Sequence, residues 1–278
     1  MEGDDCYKFS TVQVYVAKTN AKPIKTILEV GANVGIVSLQ MHAMFPDAKI
    51  YSFEVVEQWF QQAAQSVAGI DNIKLYHAAM SSQHLFEDDL GVVPRAALAE
   101  LRVLKGLPAA GGGWVGGSTV VAADNPLVSD KSIEWAYEKV DEKVQPIVLQ
   151  DFLTSENIEE LDFLKIDCEG CEHHVLGCAS LETLRRIRFI GGEYHSFSRF
   201  YNILKNKLFQ THKVNLIGSG DIGCFFAERR DGERDGILLH NNPGMLELRP
   251  WLHSEPVEWH LYNPAYVTLD RRAAHAMP

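Results

Sequence analysis

Long hydrophobic runs are absent from this chain of 278 residues. No apolar stretch reaches the ~18 residues of a membrane-spanning helix, so we expect no membrane partner. The first five residues are acidic and polar, unlike the apolar core of a secretory signal peptide. We therefore expect a cytoplasmic protein.

Positive charge and cysteine are also scarce. The net charge of -11 disfavours a broad contact with nucleic-acid phosphates, so we expect no nucleic-acid partner. The five cysteines are odd in number and scattered, which favours reduced thiols over a disulfide framework. Cys168 and Cys171 form a C-x-x-C motif, but no second pair completes a zinc site, and the spacing from Cys171 to Cys178 favours helix packing.

The first apolar run, residues 26–30, ends in a glycine turn that leads into a helical pattern. Such a strand delivers a ligand-binding loop at its carboxyl end in open α/β sheets. Residues 29–35 have the spacing E-x-G-x-x-x-G and not the G-x-G-x-x-G of a dinucleotide loop. We expect the carboxylate of Glu29 to face the ligand. A carboxylate suits an ammonium or sulfonium ligand such as S-adenosylmethionine.

A second strand, residues 49–54, ends in Glu54. An acid about 20 residues beyond the glycine turn binds ribose in nucleoside-binding α/β folds. A helix is predicted over residues 57–67 and a third strand over residues 72–79. Because other cofactors also contain ribose, an NAD-dependent oxidoreductase is an alternative, which the glycine spacing disfavours.

Two later strands also end in polar side chains. The strand that starts at Leu161 runs into an acidic turn, and the strand over residues 187–195 has a polar tip. The polar groups are those of Asp167, Glu169, Glu193 and His195. Period-2 alternation places the last two on one face. Together with Glu29, these groups converge on the carboxyl edge of one sheet, as a catalytic site requires.

The order and spacing of these segments resemble the FkbM family of S-adenosylmethionine-dependent methyltransferases. The segments are ILEVGANVGIVSL (27–39), IYSFEVVEQ (50–58), HAAMSS (77–82), IVLQDFL (147–153), LDFLKIDCEGCEHHVLGC (161–178) and IGGEYH (190–195). The K-I-D-x-E-G-x-E block is the most specific of them. The chain departs from the family at Glu29, where Asp is usual, and at Gln150, where Asp is common, so Gln150 is assigned no role.

The resemblance implies a Rossmann-like α/β fold with a seven-stranded, mostly parallel sheet, a terminal antiparallel hairpin and helices on both faces. The methyltransferase domain is expected over residues 26–228, between an N-terminal extension (1–25) and a C-terminal extension (229–278). Residues 83–145 form an irregular insertion, either a lid over the cofactor pocket or a surface insertion. The aromatic C-terminal extension suits either a homodimer contact or a wall of the acceptor pocket.

The resemblance also implies transfer of a methyl group to a hydroxyl oxygen of a small metabolite such as a sugar or polyketide. The cofactor-binding residues are expected to be Glu29, Gly31, Asn33, Gly35, Glu54, Ala78 and Asp167. The candidates for the base that takes the acceptor's proton are His195, Glu193, Asp167 and Glu169. His195 is preferred because imidazole titrates near neutrality.

Two further alternatives concern metal and catalysis. Some oxygen methyltransferases use a divalent cation, and Asp167, Glu193 and His195 are of the right ligand types. Their spacing does not demand a metal, so we expect none. A catalytically silent module of this fold would instead bind partners and would tolerate loss of Glu193 and His195.

Overall fold

The structure, a computed structural model, describes residues 6–81, 86–88, 91–93, 99–104, 118–122, 137–140, 146–195, 197–217 and 222–230. The helices are α1 (Phe9–Thr19), α2 (Ile36–Met44), α3 (Glu57–Ser66), α4 (Leu149–Ser155), α5 (Glu172–Cys178), α6 (Leu181–Arg185), α7 (Phe197–Ile203), a π-helical turn (Leu204–Leu208) and α8 (Phe209–Thr211). The strands are β1 (Thr26–Val30), β2 (Lys49–Glu54), β3 (Ile73–His77), β4 (Ala79–Ser81), β5 (Phe86–Asp88), β6 (Gly91–Val93), β7 (Ala99–Leu104), β8 (Ser118–Ala122), β9 (Tyr137–Val140), β10 (Pro146–Val148), β11 (Leu161–Ile166), β12 (Ile187–His195), β13 (His212–Ile217) and β14 (Ile222–Arg229).

The central sheet has seven strands in the order β13-β14-β12-β11-β1-β2-β3. Strands β1, β2, β3, β11 and β12 pair in parallel, and β14 is antiparallel to both β12 and β13. The predicted fold, including the terminal hairpin, is confirmed. The strand order reverses between β1 and β11, and such a switch point opens a ligand crevice at the carboxyl ends of the strands.

Alternate residues of the strands pack on opposite faces of this sheet. Leu28 and Leu164 belong to a cluster with residues of α4 to α7, whereas Ile27 and Phe163 belong to a cluster with residues of α1 and α2. This follows from the period of 2 in a strand, which turns successive side chains to opposite faces. Helices therefore cover both faces, as predicted.

The segment before β1 is packed into the fold. Phe9 and Val12 of α1 are fully buried, and Tyr7 is nearly so. All three contact the cluster that contains Ile27 and Phe163. The predicted N-terminal extension thus contributes to the core on one face of the sheet.

The predicted insertion is more regular than its sequence pattern indicated. Strands β7, β8 and β9 form an antiparallel sheet in the order β8-β7-β9, and β5 pairs with β6. The segment expected to be irregular over 83–145 thus includes these paired strands. The lid is not tested, because much of the segment lies outside the described residues, as does nearly all of the C-terminal extension.

Two helices, not one, follow the acidic turn after β11. α5 ends at Cys178, and Ser180 caps α6 by accepting a hydrogen bond from the Thr183 amide at 2.9 Å. A serine that offers its oxygen to a free amide favours a new helix start over continuation of the old helix. None of the helices in the described residues is long and apolar enough to cross a membrane.

Candidate active site

The glycine turn after β1 contacts the turn after β11. Gly31 and Gly35 have φ angles of 85° and 86°, which L side chains rarely adopt. A Cβ on Gly31 would lie 1.8 Å from the carbonyl oxygen of Asp167. Only glycine therefore fits at position 31, and the close approach fixes the two turns against each other.

Glu54 lies beside the same glycine turn and is buried. It accepts hydrogen bonds from the amides of Asn33 (2.7 Å), Val55 (2.9 Å) and Val56 (2.8 Å). The amide of Ala78 donates to the Glu54 carbonyl at 3.1 Å. Burial raises the pKa of Glu54, and the three amides oppose that rise. The structure thus brings the predicted cofactor residues Asn33, Glu54 and Ala78 together.

Glu29 is fully buried, whereas the sequence led us to expect its carboxylate to face the ligand. One carboxylate oxygen accepts hydrogen bonds from Ser38 (2.5 Å) and Ser52 (2.6 Å). Burial raises the pKa of Glu29, while Lys165 opposes the rise from 3.9 Å. Successive side chains of a strand point to opposite faces of the sheet. The side chain of Glu29 therefore lies against one face of the sheet, under the loop that begins at Gly31. Glu29 supports the loop from below.

Lys165 is a functional candidate that sequence reasoning missed. It is buried under the glycine turn, and its Nζ donates to the Gly31 carbonyl at 2.6 Å. A lysine inside the apolar strand β11 was a signal that could have identified it, since lysine is almost never buried without a partner. Lys165 ties the strand that leads to Asp167 to the loop that follows β1.

His195 lies among three carboxylates. Its Nε2 is 3.1 Å from Glu169 and 3.5 Å from Glu193, and its Nδ1 is 3.2 Å from Glu172. Burial alone would lower the pKa of His195, but hydrogen bonds to Glu169 and Glu172 outweigh it and raise the pKa to about 11. The imidazole is therefore protonated at neutral pH. The expectation that His195 is a base titrating near neutrality does not fit this geometry.

Glu193 has the property that was expected of His195. Burial, followed by the negative charge of Asp167, raises the pKa of Glu193 to about 7. A carboxylate with this pKa is half deprotonated at neutral pH and can still hold a proton after accepting it. General bases work best when their pKa lies near the operating pH.

Glu172, another residue outside the predicted site, orients His195. It is fully buried and accepts hydrogen bonds from the His195 amide at 2.7 Å and the Gly170 amide at 2.9 Å. Glu169 lies in the turn between β11 and α5 and takes the left-handed conformation, with φ 54°. The second glutamate of the K-I-D-x-E-G-x-E block, Glu172, thus fixes the end of β12, and the first glutamate, Glu169, pairs with the imidazole.

Asp167 has a partner that no sequence signal indicated. The hydroxyl of Tyr7 donates to Asp167 Oδ2 at 2.5 Å, and the Tyr7 side chain is buried. Tyr7 precedes every segment that carried the family resemblance. Tyr7 and Asp167 meet although they are far apart in the chain, because α1 packs on β11: the ring centroids of Phe9 and Phe163 are 5.1 Å apart.

Four side chains at this edge are arranged so that they could hold a metal ion. Asp167, Glu169, Glu193 and His195 each offer a ligand atom, and these atoms all lie within 4.8 Å of one another. Carboxylate and imidazole ligands are compatible with several divalent cations. The sequence expectation of no metal stays a prediction.

Two disulfides flank this edge, contrary to the expectation of reduced thiols. Cys168 bonds to Cys171 within the turn that carries Glu169, and Cys6 bonds to Cys224 of β14. The second pair is 218 residues apart in sequence, so scatter along the chain did not exclude pairing in space.

A family model and a curated relative both match this chain, and both are methyltransferases. The family model described as Methyltransferase FkbM domain matches residues 29–215. A curated relative, methyltransferase sdnD of Sordaria araneosa, is 26% identical over 193 residues, which are 62% of this chain and 64% of that protein. The chain thus spans less than two thirds of that relative.

Similar solved structures share little sequence with this chain. The precorrin-6y C5,15-methyltransferase of Geobacter metallireducens is 10% identical with a TM-score of 0.39, covering 79% of this chain and 88% of that one. The N-terminal domain of human METTL16 in complex with SAH is 11% identical with a TM-score of 0.40, covering 80% of this chain and 68% of that one.

Proposed function

Because this chain belongs to the FkbM methyltransferase family, we propose that it transfers a methyl group from S-adenosylmethionine to a hydroxyl oxygen of a small metabolite, such as a sugar or polyketide. The observation that carries the proposal is the Glu193 carboxylate, whose pKa is raised to about 7, beside the turn that ends β11. Such a group can take the proton of a hydroxyl acceptor.

The cofactor fits the residues around the glycine turn. When bound, S-adenosylmethionine supplies an electrophilic sulfonium methyl group. Glu54 would accept a hydrogen bond from a ribose hydroxyl through Oε2, which accepts only the Asn33 amide, because Oε1 already accepts the amides of Val55 and Val56. Gly31, Asn33, Gly35 and Ala78 would line the cofactor beside Glu54, and Asp167 would contribute a negative charge suited to a cationic ligand.

The chemistry assigned to the protein is positioning and proton removal. Glu193 would take the proton of the acceptor hydroxyl, and with its pKa raised to about 7 it could hold that proton after accepting it. Protonated His195 holds Glu169 and Glu193 in place through its Nε2. Asp167 and Glu169 remain the other candidate bases.

Cofactor choice is tested by calorimetry. The wild-type protein should bind S-adenosylmethionine and S-adenosylhomocysteine, and ligand at ~100 times the dissociation constant should stabilise the fold by about 2.7 kcal/mol. Glu54→Gln should weaken binding, on the order of 1.5–3 kcal/mol for a hydrogen bond to a charged group. Glu159→Gln is the matched control, because Glu159 is exposed and precedes β11 at the other edge of the sheet.

Other results would favour the alternatives. Binding of NAD without binding of S-adenosylmethionine would support an oxidoreductase. Cofactor binding without transfer from methyl-labelled S-adenosylmethionine to any compound of a metabolite extract would support a silent module. Label recovered on nitrogen or carbon in place of oxygen would contradict the acceptor class that we propose.

A further inference from the structure

Tyr7 reaches the site from outside the segment that matches the family. The match begins at residue 29, yet the Tyr7 hydroxyl lies 2.5 Å from Asp167 Oδ2. The Tyr7 ring also covers Lys165, whose Nζ is 5.2 Å from the ring centroid. One side chain therefore contacts both the carboxylate at the end of β11 and the buried lysine that supports the glycine turn.

The main chain of Tyr7 packs directly against Gly191 of β12. A Cβ added to Gly191 would lie 2.7 Å from the Tyr7 carbonyl oxygen and 3.1 Å from its Cα. Contacts this close to backbone atoms are not tolerated by a larger residue. The glycine at position 191 thus leaves room for the N-terminal segment to cross the sheet beside Glu193.

The neighbouring residue fastens this segment to the same part of the sheet. Cys6 is disulfide-bonded to Cys224, with a Cα–Cα distance of 5.3 Å. In the pairing of β12 with β14, Cys224 lies opposite Glu193. The covalent link thus holds Tyr7 next to the strand that carries the proposed base.

The hydroxyl of Tyr7 is the donor in its hydrogen bond to Asp167. A neutral phenol has one proton to donate, and a carboxylate can only accept it. The hydrogen bond consequently has one direction, from Tyr7 to Asp167.

We infer that Tyr7 is a positioning residue, which holds the Asp167 carboxylate in one place for methyl transfer. Residues 6 and 7 then complete an active site that the family-matched segment does not contain in full. This inference rests on the proposed function, since Asp167 has a role to be positioned for only if the site is catalytic.

The decisive variant is Tyr7→Phe, which keeps the ring over Lys165 and removes only the hydroxyl. Loss of a hydrogen bond to a charged group should lower kcat about 10-fold to 100-fold. The KM of the acceptor and the affinity for S-adenosylhomocysteine should change less than about twofold, because an interaction that matters in the transition state lowers kcat without weakening ground-state binding. Because loss of this hydrogen bond also lowers the stability of the fold, kcat is to be measured well below the melting temperature, where Tyr7→Phe stays folded.

Two controls separate positioning from a general effect on the fold. Tyr15→Phe removes a hydroxyl from α1, where Tyr15 packs edge-on against Phe189, and should leave kcat unchanged. Removal of the tether by Cys6→Ser with Cys224→Ser should lower kcat in the same direction as Tyr7→Phe. Cys178→Ser, which affects neither disulfide, should not.

The outcomes distinguish this inference from the function on which it rests. A wild-type protein that neither binds the cofactor nor transfers methyl overturns both. An active wild type whose Tyr7→Phe variant keeps full kcat overturns the inference alone. A fall in kcat that only tracks a lower folded fraction also overturns it, because the hydroxyl would then serve stability and not the reaction.

Discussion

At the residue scale, the environment reverses the roles that side-chain type alone assigns to Glu193 and His195. An isolated imidazole titrates near neutrality and an isolated carboxylate well below it. Here three carboxylates surround the imidazole and keep it protonated, whereas burial and the charge of Asp167 keep a proton on Glu193 up to about pH 7. The base is therefore better assigned to the carboxylate.

The role of Glu193 can be measured through the pH dependence of turnover. Because the pKa of Glu193 is raised to about 7, kcat should rise with pH through this value as the carboxylate loses its proton. Glu193→Gln should lower turnover by roughly the 10²–10⁴-fold typical of a lost general base. Cofactor affinity, measured by calorimetry, should stay nearly intact.

Two results would move the assignment elsewhere. Wild-type turnover in Glu193→Gln would remove Glu193 from the mechanism and leave Asp167 or Glu169. A turnover that does not change between pH 6 and pH 8 would show that no group with this pKa takes part.

At the element scale, the glycine turn after β1 and the acidic turn after β11 form one unit. The amide of Asp167 donates to the Val30 carbonyl at 3.1 Å, and Lys165 donates to the Gly31 carbonyl at 2.6 Å. Each of these contacts joins β1 to β11. The unit explains why the motif residues of both strands occur in one small region although they are far apart in sequence.

Because the two turns are in close contact, we expect a substitution at Gly31 to lower the free energy of unfolding. Gly31→Ala would place a Cβ 1.8 Å from the Asp167 carbonyl oxygen and force the turns apart. We expect a loss of unfolding free energy of ~3 kcal/mol or more, since backbone strain and overpacking combine. Urea unfolding measures this loss, and calorimetry should show weaker binding of the cofactor.

Gly69→Ala provides the matched control for that experiment. Gly69 also has a positive φ, 79°, but a Cβ there meets nothing within 4 Å. Its cost should be limited to the ~1–2 kcal/mol of a left-handed alanine. Equal losses at positions 31 and 69 would contradict the close packing of the two turns.

The polar side chains at the ends of β11 and β12 also bear on whether turnover needs a metal ion. Asp167, Glu169, Glu193 and His195 are close enough to ligate a cation, but the imidazole proton already lies against Glu169. A cation would have to displace that proton. We therefore expect turnover to survive dialysis against EDTA. Loss of turnover that magnesium or manganese restores would prove this expectation wrong.

At the scale of the whole molecule, ionic contacts around His195 couple stability to pH. In the folded state the pKa of His195 is raised to about 11 from an ordinary value of 6.5. At pH values between 6.5 and about 11, His195 holds its proton more fully in the folded protein than in the unfolded chain. Its contribution to the free energy of unfolding therefore falls as the pH rises. The contribution is complete below pH 6.5 and is lost progressively above it.

Urea unfolding between pH 7 and pH 9 tests this coupling. The wild type should lose stability with pH more steeply than His195→Gln, which has no proton to release at this position. His42→Gln in α2 is the control and should retain the wild-type slope. Parallel slopes for wild type and His195→Gln would show that the imidazole is not held in its charged form.

Much of the architecture was predictable because it follows from local patterns. Apolar runs that end in Glu54, Asp167 and Glu193 indicated parallel strands, and parallel strands bring their carboxyl ends to one edge. The family resemblance then predicted a seven-stranded, mostly parallel sheet and its terminal hairpin, both of which the structure confirms.

Tertiary structure alone decided which of those groups are buried, paired or charged. Sequence could not show that Glu29 lies under the loop, that Tyr7 reaches Asp167, or that Cys6 pairs with Cys224. Proton affinities depend on desolvation and on charges within a few ångströms, and those neighbours come from distant parts of the chain. Strand patterns therefore indicated where the candidate site lies, and the packing of β11, β12 and the N-terminal segment decided which partners each of its side chains has.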